Sequence, residues 1–492
     1  MICLAYVQHQ PRIVTGKDDS ADERPNERSR AGGRSIAYVC ACLALPLASC
    51  TYSPLAERPS LPSEFEHRST LAAQWPAADW YTQFGSDELS RLIQEARDHN
   101  LDLAAAIART KQADAHARAA GAALLPQIDV GPSVTYAAGK ANGRSAHETD
   151  WSVLANASYE VDFWGKNAAA RNSAQFAALA SHTDEAVVAL TVATSVASEY
   201  FNVLSLHERV ELARDNLRSS HEVLDAIEAR FNAGAASAVE LSTQRAAVAN
   251  AELAIAPLEQ QETEARGALA ILLGQPPEGF VPKSGTLNDL TEPRIGAGLP
   301  SELLTRRPDI VSAEANLEAA HADLTAARSA LFPAFTLSIG AGVRHPALDA
   351  AVTTLEGTGP SISATAALVQ TIFDHGLRRA ANEEAAAKEE ELLANYRKAI
   401  LDALLDVESA AAAIEHLNAQ QQAQRVSLEQ SMRAYDAARL RYQAGSGDFL
   451  TVLEAQRSLY AARDQNSQYR LARLQALVTL FKALGGGWHA AE

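Results

Sequence analysis

The chain has 492 residues, 47% apolar and 21% charged, a composition typical of an ordered protein and long enough for two or more ordinary domains. Its formal charge of −17 excludes a nucleic-acid surface, which needs clustered Lys and Arg to replace phosphate counterions. All four cysteines, Cys3, Cys40, Cys42 and Cys50, fall in the first tenth of the chain, so the body has no disulfide framework and no thiolate metal site.

The first element is a signal. In "RSIAYVCACLALPLASC", Arg30 and Arg34 precede an apolar run from Ile36 to Ala48, and small residues lead into Cys50. Basic, apolar and then small is the order of a secretory signal, which assigns residues 1–49 to a leader. "LASC" resembles a bacterial lipobox, after which Cys50 becomes the lipidated first residue of the mature chain. Thr51, rather than Asp, follows it, which by the usual bacterial sorting preference points to the outer membrane. Residues 1–29, with "GKDDSADERPNERSR", do not fit a short basic leader and point to a start assigned too early. Met1 and Met432 are the only methionines, so a later start needs a codon read here as another residue, such as Val14. Past the signal no run of about 18 apolar residues occurs, so no transmembrane helix is expected. Any span must be made of strands.

Strands are predicted in pairs. Ile128, Val130, Val134 and Tyr136 alternate over about 127–137, and Trp151, Val153, Ala155, Ala157, Tyr159, Val161 and Phe163 over about 151–163, each with polar or small residues between. A second pair covers about 334–343, with Phe335, Leu337, Ile339, Ala341 and Val343, and about 361–373, with Ile362, Ala364, Ala366, Leu368 and Ile372. The links "AAGKANGRSAHET" and "RHPALDAAVTTLEGTG" read as exposed loops longer than a tight turn. Strands of about 10 residues with one apolar face suit a transmembrane barrel, and Trp151, Trp164 and Phe373 fall near their ends as interfacial aromatics. Four strands cannot close a barrel, since about eight are needed. The chain must therefore oligomerise, and physics alone allows two copies or three.

The rest is helix. Lys166 to Arg230 and Leu377 to Arg441 lack proline and glycine, and a helix of roughly 65 residues is on the order of 100 Å long. Ile400, Leu404, Val407, Ala411 and Ile414, and again Leu471, Leu474, Val478 and Phe481, recur at coiled-coil spacing. Between these halves, residues 274–298 concentrate proline and glycine and read as an irregular connector on the outside.

The chain is duplicated. "RFNAGAASAVELSTQ" from Arg230 answers "RYQAGSGDFLTVLEAQ" from Arg441 at an offset of 211, which pairs Gly234 with Gly445. "AAGAALLPQIDV" around Pro126 answers "AARSALFPAFTL" around Pro333 at 207. Residues 50–273 form the first repeat, 299–488 the second and 489–492 a tail. A period this long makes each copy a large half of one architecture.

Duplicated strand pairs and long helices behind a lipobox resemble the TolC-like outer-membrane efflux proteins (outer membrane factors), in particular their OprM/NodT-type lipoprotein branch. "LPSELLTRRPDIVSAEANLEAAHADLTAARSALFPAFTL", "YEVDFWGK" and "KALGGGW" carry the likeness over nearly the whole mature chain. It implies a mainly α fold with transmembrane β: a homotrimer with a twelve-stranded barrel in the outer membrane and a helical barrel in the periplasm. It also implies a periplasmic adaptor and an inner-membrane pump of the RND type as partners. The chain would be a passive, gated exit duct for small toxic compounds.

The family places the repeated turns at the periplasmic tip, where the tunnel shuts and the adaptor docks. Gly234 and Gly445 suit a left-handed helix C-cap. Leu450, Glu454 and Arg457 share one helix face by spacing. By match to the family motif Leu450 becomes a constriction, Glu454 an acidic ring, and Tyr442 and Arg457 contacts that hold the tip closed. Glu240 is taken as the matching acid of the first half. Ser237 and Glu240 also form an S-x-x-E capping box, and Glu454 with Arg457 also reads as a solvated i,i+3 pair, so both alternatives stay open.

Thirteen scattered histidines hold no H-x-x-x-H pair, and no Walker A, GxGxxG or GxSxG motif occurs, so neither catalysis nor any cofactor beyond the lipid on Cys50 is expected. Two rivals remain. A type I protein-secretion duct shares the architecture, and a periplasmic adaptor shares coiled-coil hairpins but should have one hairpin without strand pairs.

Overall fold

The computed structural model describes residues 61–62, 65, 75–141, 144–282, 285–293, 300–345 and 359–489; the signal and Cys50 lie outside them. Ser86 opens α1 (Asp87–His99), its hydroxyl accepting the Leu89 N–H at 3.1 Å. Asn100 then caps α2 (Leu101–Ala122), accepting the Leu103 N–H at 2.9 Å. There follow β1 (Gln127–Ala141), β2 (Arg144–Val161), α3 (Lys166–Asn232), α4 (Ala238–Leu253) and α5 (Ile255–Leu272). The second half repeats the order as α6 (Pro308–Ser329), β3 (Ala334–His345), β4 (Gly359–Val369), α7 (Leu377–Gln443) and α8 (Phe449–Ala483). The offsets seen in the sequence carry element onto element: 207 takes α2 onto α6, and 211 takes α3 onto α7.

One offset exposes a difference. At 211, α8 corresponds to α4 and α5 together, and Pro257 stands where α8 has Gln468. Pro257 has no N–H for the Leu253 carbonyl and its ring crowds that oxygen, so the return helix of the first half breaks at Ala254.

The strands form one antiparallel sheet in the order β1-β2-β3-β4, with β1 and β4 as edges. The register aligns apolar rows across all four strands: Val130 faces Ala155, Ala155 faces Ala341, and Ala341 faces Ile362. The opposite face carries Asp129, Asn156, Gly340 and Ser363 in register. Ile128, Val130, Val134, Ile339, Ile362 and Leu368 on the apolar face are all exposed, and among the described residues no helix packs substantially against the sheet. An uncovered apolar face beside a polar one is the arrangement of a membrane barrel segment.

Strand boundaries differ from the sequence expectation. Apart from residues 142 and 143, which lie outside the described residues, the supposed first loop is strand, with β1 and β2 still paired at Ala141 opposite Arg144. Beyond the lipid band nothing selects for apolar alternation, so this extension has no periodic signature. Trp151 consequently sits inside β2 rather than at its end. From Trp151 to Val161 a tilted strand still advances roughly 25 Å along the barrel axis, the height of the apolar band. At the other end β4 stops at Val369, short of Thr371, Ile372 and Phe373. There the Arg378 guanidinium donates to Thr371 Oγ1 at 2.7 Å and to the Ala330 carbonyl at 3.0 Å, turning the chain into α7. The second link, residues 346–358, lies outside the described residues.

By length and average composition one window of α3 could cross a membrane, although Thr194, Ser195, Ser198 and Glu199 interrupt it and it is no continuous apolar run. Half of it is buried, and Val192, Val196, Tyr200, Phe201 and Leu204 of α3 join Trp80, Phe84, Leu269 and Phe481 in the largest core. Packing, not lipid, uses that apolarity. The connector also enters this core through fully buried Leu287 and through Leu290, and its Thr291 N–H donates to the Phe84 carbonyl at 2.9 Å. It is an anchored strap rather than an external decoration. A second core joins Ile310 and Leu317 of α6 to Tyr396, Ile400 and Val407 of α7 and Leu480 of α8.

Two equivalent joints close the halves. Asn100 Nδ2 donates to the Leu272 carbonyl at 2.8 Å, and Arg307 Nη1 donates to the Ala483 carbonyl at 3.2 Å. Asn100 and Arg307 are 207 apart, and Leu272 and Ala483 are 211 apart. The second joint is charged: Arg307 also reaches Asp309 at 2.6 Å and Asp406 at 3.0 Å.

Candidate functional site: the two hairpin turns

Both long helices end in the same hydrogen-bond pattern. After α3 the Gly234 N–H donates to the Phe231 carbonyl at 2.9 Å and the Ala235 N–H to the Arg230 carbonyl at 2.7 Å. After α7 the Gly445 N–H donates to Tyr442 at 3.0 Å and the Ser446 N–H to Arg441 at 2.9 Å. This is the Schellman motif, whose left-handed residue is Gly234 (φ 73°) or Gly445 (φ 72°). Identical turns at a fixed offset reverse both hairpins in the same number of residues.

The caps that start the return helices differ. Ser237 and Glu240 form a full capping box: the Glu240 N–H donates to Ser237 Oγ at 3.2 Å and the Ser237 N–H to Glu240 Oε2 at 3.0 Å. In the second hairpin Asp448 accepts the Thr451 N–H at 2.9 Å and the Thr451 hydroxyl at 2.6 Å. Those bonds hold the Asp448 carboxyl below its ordinary pKa, the side-chain bond from Thr451 contributing most. The 211 offset places Glu240 opposite Thr451, while Glu454 falls opposite Thr243. Glu240 is thus not the register partner of Glu454, and its carboxylate is engaged in a cap.

The hairpins meet in an apolar cluster of Ile227 (α3), Leu241 (α4), Ala438 and Tyr442 (α7), and Phe449, Val452 and Leu453 (α8). Tyr442 is buried there, its ring 6.3 Å from that of Phe449 and 4.5 Å beneath the Arg230 guanidinium. Burial raises its pKa against the attraction of Arg230, and its hydroxyl has no hydrogen-bond partner among the described residues. Tyr442 therefore links the two hairpins of one chain through a cation–π contact. Arg230, its partner, escaped the sequence reading because a basic residue in a last helical turn is an ordinary feature.

Leu450, Glu454 and Arg457 stand together on the exposed face of α8, opposite buried Phe449, Val452, Leu453 and Gln456. Arg457 donates to Glu454 at 3.3 Å, an exposed pair of small energetic weight. A cavity of about 450 Å³ opens between α7 and α8 beside the second turn, with Ala434, Ala438, Arg441, Gly447 and Asp448 in its wall. At the 211 offset the first hairpin has Val223 and Ile227 in place of Ala434 and Ala438. Among the described residues no group of three or more His, Cys, Asp or Glu could hold a metal.

A sheet with one lipid-facing side, duplicated together with long helical hairpins, defines a subunit of an outer-membrane channel. Residues 92–275 and 299–486 match the family described as "Outer membrane efflux protein", and the chain belongs to that family. It is 42% identical over 469 residues to the pyoverdine export outer membrane protein OpmQ of Pseudomonas aeruginosa, covering 93% of this chain and 98% of that one. It is 30% identical over 454 residues to the cation efflux system protein CusC of Escherichia coli, covering 91% and 98%. A solved CusC structure superposes with a TM-score of 0.78 at 28% identity, covering 89% of this chain and 100% of that chain. The OprN outer-membrane channel shares the fold, with a TM-score of 0.82 at 24% identity over 89% of this chain. The protein is a TolC-like outer-membrane efflux channel, and its family and structural neighbours are channels rather than enzymes.

Proposed function

We propose that three copies of this chain form the passive exit duct of a tripartite efflux system, working with a periplasmic adaptor and an inner-membrane pump of the RND type. The open sheet carries this reading. Its four strands alternate in direction, so β4 of one copy can pair with β1 of the next and keep the antiparallel order, and three copies supply twelve strands. Unpaired edges in lipid are untenable, because no water is present to satisfy their N–H and C=O groups. Cys50 is the lipid anchor, on the strength of "LASC" and of a mature chain without any other thiol. Detergent-solubilised protein should have three times the protomer mass; a stable monomer refutes the assembly.

The tip is the gate in this proposal, with Leu450 as constriction and Glu454 as an acidic ring. Glu454→Ala is expected to lower cation preference in single-channel recordings, and unchanged selectivity removes Glu454 from the pore. The adaptor docks at Gly234 and Gly445, with the small-residue groove of the second hairpin as the deeper seat. For cargo, the 42% and 41% identical relatives both named for pyoverdine export favour a small secreted metabolite over a metal cation. A deletion strain should lose such a metabolite from its medium and regain it on complementation; a protein-export defect alone would favour a type I secretion duct.

A further inference from the structure

Gln456 lies on the buried side of α8, between Glu454 and Arg457, and is only 6% exposed. Its Nε2 donates to Ser220 Oγ at 3.0 Å and to Asn216 Oδ1 at 3.3 Å, both on α3. From the other side Gln244 of α4, wholly buried, donates its Nε2 to the Ser220 carbonyl at 2.7 Å. One serine therefore receives a carboxamide from each hairpin. The Oε1 atoms of both glutamines are buried and meet no donor among the described residues. A half-satisfied buried amide is a costly arrangement, and it is ready to exchange partners.

The surroundings permit that exchange. A cavity of about 210 Å³ lies between α3, α4 and α8, bounded by Asn250, the break residue Ala254 and Tyr460. A second, of about 140 Å³, lies between α3, α7 and α8, bounded by Tyr435, Asp436 and Arg463. Asn216 and Gln456 line both. Both are clefts partly open to the surface, so Gln456 has space on two sides. These clefts leave polar room beside Gln456, and turning α8 against α3 also repacks Phe449, Val452 and Leu453 in the tip cluster.

We propose that Gln456 is a positioning residue of the gate: a carboxamide pivot on Ser220 and Asn216 that fixes the rotation of α8 and so the direction in which Leu450, Glu454 and Arg457 face. It rests on the reading of the tip as the gate. Losing the pivot frees α8 to rotate, so the shut arrangement is less populated while the dimensions of the open pore are unchanged.

The test is single-channel recording of the full-length protein in planar bilayers, comparing wild type with Gln456→Leu, Ser220→Ala, their double variant and Leu450→Ala. Gln456→Leu is expected to raise the open fraction about tenfold at unchanged open-state conductance, and Ser220→Ala to raise it less. The double variant should do no more than Gln456→Leu, because both remove one interaction. Additive effects, or an open fraction equal to wild type, overturn the pivot. If Gln456→Leu does not assemble, Ser220→Ala and Asn216→Ala carry the same test from α3. Should Leu450→Ala change the recordings while the pivot variants do not, the pivot fails and the gate stands. Should none change them, the gate reading fails as well.

Discussion

Arg307→Ala should loosen the joint that ties the end of α8 to the start of α6. Arg307 is 8% exposed, and its guanidinium donates to both oxygens of Asp309, at 3.0 and 2.6 Å, to Asp406 at 3.0 Å and to the Ala483 carbonyl at 3.2 Å. Desolvation opposes this charge, but the two carboxylates prevail and raise its pKa. Removing one side of a buried ion pair costs about 3–5 kcal/mol when the other side stays buried. Here the Asp309 and Asp406 side chains are 38% and 52% exposed and can turn to water, which discounts that range. Ala483 lacks that freedom, because it is buried at the end of α8 and the turn that follows packs Gly485 against the Arg306 carbonyl. A loss of about 3 kcal/mol follows, roughly a hundredfold in the local opening equilibrium. Hydrogen exchange resolved along the chain reads it: amides in the last two turns of α8 should lose protection while those near Tyr442 keep theirs. Arg307→Lys keeps the charge but not the fork and should recover less than half. Wild-type protection in Arg307→Lys, or a uniform loss along α8 in Arg307→Ala, refutes the reasoning.

Ile339→Arg, on the apolar face of β3, should block outer-membrane assembly at a cost of about 2–4 kcal/mol, whereas Ser338→Arg on the opposite face should assemble; heat-modifiable mobility on gels reports both. Gly445→Ala meets open space and should cost only the left-handed backbone penalty, about 1–2 kcal/mol. Gly485→Ala drives a Cβ into the Arg306 carbonyl and should lower the melting temperature several times further. Burial raises the Glu208 pKa against a hydrogen bond from Ser467 and the charge of Arg470. The folded state thus binds that proton more tightly than the unfolded chain, so stability falls as pH rises from about 4.3 through the folded pKa. Glu208→Gln should melt above wild type at pH 8 and level with it near pH 4.

The strand pairs and long helices were legible because each needs a repetitive pattern. A lipid-facing strand must alternate, as Ile128 to Tyr136 do, and an uninterrupted helix must avoid proline over its whole run. The extension of β1 to Ala141 was not legible, since backbone pairing outside lipid imposes no side-chain period. The connector was misjudged because its Pro and Gly content is a signal of irregular backbone, and irregular backbone can still bury Leu287. At the tip the turns were readable as a repeat, and Leu450, Glu454 and Arg457 as one face. Gln456 was not, because a glutamine in an amphipathic helix ordinarily faces solvent, and only the packing of α3 against α8 encloses it.

Duplication explains why the geometry of the halves agrees, and divergence explains why the chemistry does not. The Schellman turns are the same, so both hairpins reverse at one depth. Asp448 stands where the first half has Ser237 and Thr451 where it has Glu240, so the capping carboxylate sits on the third helical residue in one half and on the cap itself in the other. The Glu240 carboxylate is anchored at its helix start through Oε2, whereas Glu454 takes no part in a cap. The first hairpin has spent its acid in this way, and Pro257 has broken its return helix. The second keeps an unbroken return helix with Glu454 free of the cap and Leu450 and Arg457 beside it. A ring built from three chains needs each group carried at a fixed angle, and a straight α8 braced on α3 through Gln456 can supply that where a broken helix cannot.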